Sequence, residues 1–245
     1  LRGRTSQPSG VSEGAIAMER PAMMGVPQVE PEGIREQLHM LGSSLRYGTH
    51  LIFHPFDGFW DLKYEKRGNT ASASVILFFV VMTYIFMRQS TGFIFNTRDP
   101  SRLNILLELS SIVVPFFLWC SVNWALTTLM DGKGTFRDIY VATAYALVPL
   151  ILINVPLTIV SNYITIEEGS FYYFLLAVAV IWAMLLLFFG TMVTHHYDVG
   201  KTLLTTILIV VGIGAVIFIG LLFFSVINLM IGFASSIRTE LLLRM

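Results

Sequence analysis

The sequence predicts an all-α polytopic membrane protein, a bundle of five transmembrane helices preceded by amphipathic and interfacial helical segments. Three observations indicate this fold class: five long runs without charged residues, a hydrophobic content of 55% and a mean hydropathy of +0.70. The uncharged runs cover residues 68–87, 109–130, 139–166, 169–197 and 202–237. A helix needs about 20 apolar residues to cross a hydrocarbon core of about 30 Å, so each run is long enough to span a bilayer.

Composition and charge exclude several other classes of protein. The 16 basic and 16 acidic residues cancel, and no basic patch indicates a nucleic-acid-binding domain. Cys120 is the only cysteine, which excludes an internal disulfide framework and a thiolate metal cluster. No basic region followed by an apolar region precedes Thr70, so no cleaved signal peptide is expected in this sequence. No cofactor or metal ion is expected.

The first 67 residues carry half of the formal charges and divide into two parts by composition. Residues 1–30 lack periodicity and predict a disordered tail or linker. Residues 31–67 predict a cytoplasmic segment of amphipathic and interfacial helices. The apolar stripe of its first helix consists of Ile34, Leu38, Leu41 and Leu45, at spacings of four, three and four.

The stretch from His54 to Arg67 has aromatic rings beside charges, immediately before the first span. In a helix, Phe56, Phe59, Trp60 and Lys63 would share one face. This pattern is typical of a helix that lies in the headgroup layer. The alternative is an ordinary amphipathic hairpin of a soluble segment.

The transmembrane domain is predicted over residues 68–237, followed by a short tail at 238–245. Its spans are expected at about 70–87, 105–130, 139–163, 171–194 and 202–230. The turn between the second and third spans contains Gly132 and Gly134, which are expected to break the helix.

The third and fifth spans are expected to be irregular. Pro149 and Pro156 interrupt the third, and a proline removes a backbone hydrogen bond, so this span should kink and pack inside the bundle. The fifth uncharged run would be about 54 Å long as a helix, which exceeds the bilayer. It either tilts and protrudes, or bends near Gly212 and Gly214.

The distribution of Lys and Arg favours a cytoplasmic N-terminus and a C-terminus outside. With five spans in that orientation, and the tail left out, the inner side holds eight basic residues and the outer side five. The cluster of Lys63, Lys66 and Arg67 before the first span contributes most to this difference. The membrane is expected to be a bacterial plasma membrane.

Polar groups inside spans are the candidates for a functional role. Glu108 is expected to form an ion pair with Arg98 or Arg102 or to reach the interface, and the alternative is a transport or proton-relay role. A polar path would combine Glu108 with Asn123 and Asn154. The in-span asparagines are otherwise expected to form hydrogen bonds between helices, and this set consists of Asn123, Asn154, Asn162 and Asn228.

His195 and His196 follow each other at the end of the fourth span. Adjacent helical residues point about 100° apart, so interfacial packing is expected rather than a shared metal ion. A hydrolase that uses His195 and Asp198 would need a nucleophile or a metal that the sequence does not indicate. No intramembrane protease signature occurs, so the protein is expected not to be an enzyme.

Three stretches together resemble bacterial members of the Yip family, membrane proteins of the Ypt/Rab-interacting type. They are His54-Pro-Phe-Asp-Gly-Phe-Trp-Asp-Leu-Lys63, the turn Gly132-Lys-Gly-Thr-Phe-Arg137 running into Ala142–Pro149, and His195 followed by Lys201. The resemblance covers about residues 54–235. It implies five spans, a cytoplasmic N-terminus and no catalytic activity.

The resemblance has one clear departure. Relatives that bind Rab GTPases carry Asp-Leu-Tyr-Gly-Pro before the membrane, whereas this chain has Asp61-Leu-Lys-Tyr-Glu65. Rab binding is therefore not carried over. Some bacterial relatives resemble accessory proteins of carbohydrate ABC importers, which implies a partner of that class.

The expected function is that of a non-enzymatic scaffold or accessory protein that binds membrane lipids and other membrane proteins, including ABC importer subunits or a second copy. The alternative is a transporter or channel component with a polar path near Glu108 and the kinked third span. The interfacial and partner-binding residues are expected to be Phe56, Phe59, Trp60, Lys63, Lys66, Arg67, Arg137 and Lys201.

Overall fold

The computed structural model describes residues 34–65, 68–96 and 104–244. The predicted tail at 1–30 lies outside this range. So do four basic residues that the sequence singles out, Lys66, Arg67, Arg98 and Arg102, and the side chains of the predicted apolar stripe, Ile34, Leu38, Leu41 and Leu45.

The described residues form α-helices without strands. The helices are α1 (Ile34–Phe53), α2 (Pro55–Tyr64), α3 (Thr70–Ser90), α4 (Ile105–Leu129), α5 (Phe136–Ala146), α6 (Val148–Val160), α7 (Gly169–His195) and α8 (Val199–Arg244), with a short 3₁₀ helix at Ile166–Glu168 before α7. Within the described residues, five stretches are long and apolar enough to cross a membrane: α3, α4, α5 with α6, α7 with its 3₁₀ turn, and α8. The predicted fold class is confirmed, and the protein is an integral membrane protein.

The third span is broken at Pro149, as predicted, whereas Pro156 lies inside α6 and does not interrupt it. α5 ends at Ala146 and α6 begins at Val148, with Pro149 in the first turn of α6. Because Pro149 has no N–H, it cannot continue the hydrogen-bonding pattern of α5, and the chain starts a new helix. Half of the residues in this span are buried, the largest share among the five, so the prediction that it packs inside the bundle is confirmed.

α5 begins earlier than the predicted start near Ile139. Thr135 accepts a hydrogen bond from the Asp138 backbone N–H, and the Asp138 carboxylate accepts one from the Thr135 backbone N–H at 3.0 Å. This capping box satisfies two backbone donors and begins the helix at Phe136. The signal, Thr-x-x-Asp before an apolar run, is present in the sequence.

The ends of the packed helices lie at two levels, one on the side where α2 lies and one on the opposite side. At the opposite end, the Gly92 backbone N–H donates to Ser161 Oγ at 2.9 Å, and Asn162 Nδ2 donates to the Ser90 carbonyl at 2.8 Å. These bonds connect the end of α3 to the end of α6. The other end, where α2 lies, is called the α2 end below.

Helices α1 and α2 form an antiparallel hairpin that packs on the bundle. Tyr47 Oη donates to Asp61 Oδ2 at 2.9 Å, and Gly58 lies against Leu51. The break between the helices falls at His54, before Pro55. Leu51 and Phe59 belong to the same buried apolar cluster as residues of α3, α4 and α5, so the hairpin and the spans share one core.

The fifth span is a single uninterrupted helix of 46 residues. The expected bend at Gly212 and Gly214 does not break it, and the helix runs on past the predicted end near 230. A Cβ on Gly212 would lie 2.8 Å from Val122 Cγ1, so this glycine allows α8 to approach α4 closely. From Gly214 onward, the described side chains of α8 are exposed.

Candidate membrane-surface site at the α2 end

Segments that lie far apart in the sequence meet around the end of α7. Lys63 Nζ donates to the Thr194 carbonyl at 2.5 Å, which holds the end of α2 against α7. The Gly134 backbone N–H donates to His195 Nδ1 at 3.3 Å, which holds the turn between α4 and α5 against the same helix. The three stretches that carry the family resemblance therefore converge on one surface.

The two glycines of this turn have a different role from the one expected. The residue in the left-handed region is Asp131, with φ of 58°, and neither glycine has a positive φ. A Cβ on Gly132 would lie 2.6 Å from His195 Nδ1, and one on Gly134 would lie 2.8 Å from His195 Cε1. The glycines are needed because the His195 ring, together with Thr127 beside Gly132 and Thr194 beside Gly134, occupies the space that a side chain would fill.

The two adjacent histidines point in different directions, as predicted. His195 is 1% exposed and stacks on Tyr197, with ring centroids 5.4 Å apart. His196 ends α7 in the left-handed conformation, is exposed, and contacts Tyr64 Oη through Nε2. Within the described residues, no group of three His, Cys, Asp or Glu side chains is arranged to hold a metal ion.

The aromatic face of α2 packs on α7. Phe59 is 2% exposed and lies against Gly190, where a Cβ would come within 3.1 Å of the Phe59 ring. The Phe56 ring contacts Phe189 at a centroid distance of 4.8 Å, and the Trp60 ring lies 5.9 Å from that of His196. The four residues expected to share a face do so, but that face is directed at α7.

This arrangement changes which α2 residues a partner could reach. Phe59 is an internal contact, because its ring fills the space above Gly190. Phe56 and Trp60 remain about half exposed, at 51% and 50%. Lys201 is exposed at the start of α8, with Nζ 4.3 Å from the centroid of the Tyr197 ring.

Two basic groups at the α2 end have lowered pKa values. Burial lowers the pKa of Lys63, and nearby Lys133 lowers it further, while Asp138 acts in the opposite direction. Burial also lowers the pKa of His196, with added repulsion from Lys63 and Lys133. A positive charge on either group is therefore disfavoured relative to water.

A cavity of about 100 Å³ opens between α2, the start of α3, α5 and α7. Its charged lining residues are Lys63, Arg137 and Asp138, and its apolar wall includes Phe59 and Leu62. Arg137 Nε donates to Thr70 Oγ1 at 3.1 Å, which holds the guanidinium over the first turn of α3.

The residues of the hypothetical polar path do not come together. Glu108 lies at the opposite end, where its Oε1 accepts from Arg88 Nε at 3.1 Å. The expected ion pair is thus found with Arg88, while Arg98 and Arg102 lie outside the described residues. Asn123 lines a separate cavity of about 10 Å³ beside His195, near the α2 end.

The in-span asparagines only partly behave as expected. Asn162 connects α6 to α3. In the described part of the chain, Asn123 Oδ1 and Asn154 Oδ1 are buried without a hydrogen-bond partner. Hydrogen bonds between helices come instead from groups such as Ser74 Oγ with Tyr140 Oη at 2.9 Å.

Comparison with protein families identifies a family model that matches most of this chain. The family model described as the Yip1 domain matches residues 49–236, which extend from the last turn of α1 into α8 and include the whole site at the α2 end. The comparison with curated proteins and the comparison with solved structures each gave no match.

Proposed function

The chain belongs to the Yip1 domain family, and on this basis we propose that it acts without catalysis, as a scaffold or accessory partner of other membrane proteins. The proposal places it in a bacterial plasma membrane, with the N-terminus and the α2 end in the cytoplasm and the C-terminus outside. The excess of Lys and Arg on the α2 side of the spans supports this orientation.

The observation that carries the proposal is the uncovered surface of α8. Only 6% of the residues in its apolar stretch are buried, against 50% in the third span. The uncharged part, residues 202–237, is about 54 Å long and would need a tilt of about 56° to fit a 30 Å hydrocarbon core. Observed tilts reach about 40°, so tilting alone would not bring the whole uncharged stretch into the hydrocarbon core, and a partner helix would cover apolar surface that lipid does not.

The far half of α8 has a face suited to another helix. Ser225, Asn228, Gly232 and Ser235 follow each other at spacings of three, four and three, which places them on one stripe. The Asn228 amide is exposed and makes no hydrogen bond to the described part of the chain. Small residues allow close approach of helix backbones in a membrane, and an asparagine there can bond across the interface.

The polar groups at the α2 end support a non-catalytic role, because most of them hold the fold together. His195 Nδ1 accepts from the Gly134 backbone N–H, and Asp138 caps α5. Lys63 donates to the Thr194 carbonyl. A general acid or base must be able to reach the proton that it transfers. The His195 Nε2 has no hydrogen-bond partner among the described residues, but the ring is only 1% exposed and faces the inside of the bundle.

The partner we propose is a transmembrane subunit of a carbohydrate ABC importer, since some bacterial members of the family resemble accessory proteins encoded beside such importers. The α8 stripe would contact it within the membrane. The half-exposed Phe56 and Trp60, together with Lys201, would contact it at the α2 end.

A transporter or channel is less well supported. A solute path requires a continuous space lined by polar groups near the middle of the membrane. The cavity beside Asn123 measures about 10 Å³, which is at the lower limit for a single water molecule. Glu108 is paired with Arg88 at the opposite end.

Capture of the tagged full-length protein from native membranes in mild detergent tests the proposal. We expect ABC importer permease subunits to co-purify with the unaltered protein and to be lost from the Asn228→Leu, Gly232→Leu variant. The control is Phe223→Leu, Met230→Leu, which changes two exposed residues on the opposite side of α8.

Two outcomes would contradict the proposal. Equal recovery of the permease subunits with the stripe variant and with the control would show that the α8 stripe is not the contact surface. Ion or sugar flux into vesicles that contain only the purified protein would support the transporter instead.

A further inference from the structure

We propose that the cavity between α2, α3, α5 and α7 binds the phosphate group of an anionic phospholipid headgroup through Lys63 and Arg137. These two residues lie 74 positions apart in the sequence and line the same space. The cavity is about 100 Å³, several times the roughly 10–15 Å³ that one water molecule needs.

The two cations of this cavity have no anionic partner within salt-bridge distance in the described part of the chain. Lys63 donates one hydrogen bond to a neutral carbonyl, and an ammonium has three donors. Arg137 donates through Nε to Thr70, which leaves its two terminal nitrogens for another acceptor. Both residues can therefore bind phosphate oxygens without giving up the contacts that position them.

Asp138 also lines the cavity, and one of its carboxylate oxygens is engaged at the start of α5. Its Oδ2 accepts from the Thr135 backbone N–H at 3.0 Å and from Thr135 Oγ1 at 2.8 Å. The acidic charge thus lies at the start of α5, where it interacts favourably with the positive end of that helix. It does not neutralise both cations.

The start of α3 adds to the attraction for an anion. Asn69 makes no side-chain hydrogen bond to cap this helix, and its first turn contains no acidic residue. The backbone N–H groups of a helix start are unsatisfied donors, and the helix dipole makes this end positive. Arg137 is held directly over this turn through Thr70.

The surroundings favour a lipid headgroup over a soluble phosphate. The lining of the cavity also includes the apolar side chains of Phe59 and Leu62, and the cavity lies beside the ends of apolar spans. Trp60 and Tyr64, whose rings are 4.2 Å apart, are half exposed on the same short helix, as aromatic residues commonly are at the headgroup level. Burial lowers the pKa of Lys63, and a bound phosphate would offset that penalty.

Native mass spectrometry of the full-length protein in detergent, titrated with phosphatidylglycerol or phosphatidylcholine, tests this site. In the Lys63→Gln, Arg137→Gln variant we expect phosphatidylglycerol binding to weaken about 30-fold, from the loss of two charge contacts. The matched control is Lys133→Gln, Lys201→Gln, which removes two exposed charges at the same end outside the cavity lining. Because salt screens these exposed charges, the affinity of the control for phosphatidylglycerol should stay within about threefold of that of the unaltered protein.

Two further measurements are needed. One distinguishes binding at this site from an effect of the substitutions on folding, and the other distinguishes lipid binding from binding of soluble phosphate. The Lys63→Arg, Arg137→Lys variant keeps both charges and should retain phosphatidylglycerol binding. Inorganic phosphate should compete only at concentrations far above that of the lipid. Displacement by phosphate at comparable concentration would overturn the assignment to a lipid and indicate a soluble phosphate instead. Equal weakening in the cavity variant and the control would overturn the site itself.

Discussion

His195 and His196 show how two adjacent identical residues acquire different roles. His195 ends α7 inside the bundle, where its ring fills the space above Gly132 and Gly134. His196 takes the left-handed conformation with φ of 57°, so its ring turns outward towards Tyr64. The role of each ring follows from the backbone angle at the end of one helix.

The contact between His196 and α2 is expected to weaken in acid. The pKa of His196 is lowered by burial and by Lys63 and Lys133, so the unfolded chain takes up the proton more readily than the folded one. The stability that this group contributes is complete above its ordinary pKa of about 6.5 and is lost as the pH falls through that value towards the lowered one. Hydrogen exchange of residues 55–64 should therefore increase between pH 7.5 and pH 5.5, after correction for the intrinsic rate.

Two variants check the assignment of this acid effect. His196→Gln should reduce the increase in exchange, because a glutamine takes up no proton in this range. His54→Gln, which removes a histidine stacked on His50 before α2, should leave the increase unchanged. An equal acid effect in the unaltered protein and in His196→Gln would show that another group is responsible.

At the scale of helices, α2 is a part of the bundle and not an independent surface segment. Phe59 and Leu62 are buried in the same apolar cluster as residues of the spans. One close approach is at Gly190, where the Phe59 ring takes the place of a side chain on α7. The Phe59 ring can pack here only because Gly190 has no Cβ. A single substitution at Gly190 can therefore test the contact.

Gly190→Leu should release α2 from α7. An added side chain would overlap the Phe59 ring, and overpacking of a core costs about 1–3 kcal/mol. We expect a lower melting temperature in detergent and faster hydrogen exchange across residues 55–64. Gly214→Leu serves as the control, since no heavy atom lies within 4 Å of its added Cβ. Similar exchange in both variants would contradict the proposed packing.

At the scale of the whole molecule, five spans place the two chain ends of the transmembrane domain on opposite sides of the membrane. The turn at Lys133 and the 3₁₀ helix at Ile166–Glu168 likewise lie on opposite sides. The proposed orientation adds that Lys133 faces the cytoplasm. Single cysteines at Lys133 and Glu167, in a Cys120→Ala background, should react with an impermeant maleimide from opposite sides.

The same labelling tests what sets the orientation. Replacing Lys63, Lys66 and Arg67 by glutamine should invert part of the population, because basic residues near the first span usually dominate orientation. The control with Lys133, Arg137 and Lys201 replaced removes the same number of positive charges further along the chain. An unchanged labelling pattern in the first variant would refute the role of that cluster.

The sequence by itself determined the number of spans, their approximate limits, the break in the third and the excess length of the fifth. Each of these depends on nearby residues, since apolar length and a missing proline N–H act within a few turns of helix. The polar partners were decided only by the tertiary structure. Glu108 meets Arg88, Gly134 meets His195, and Lys63 meets the Thr194 carbonyl, because helix packing brings together groups that lie far apart in the chain.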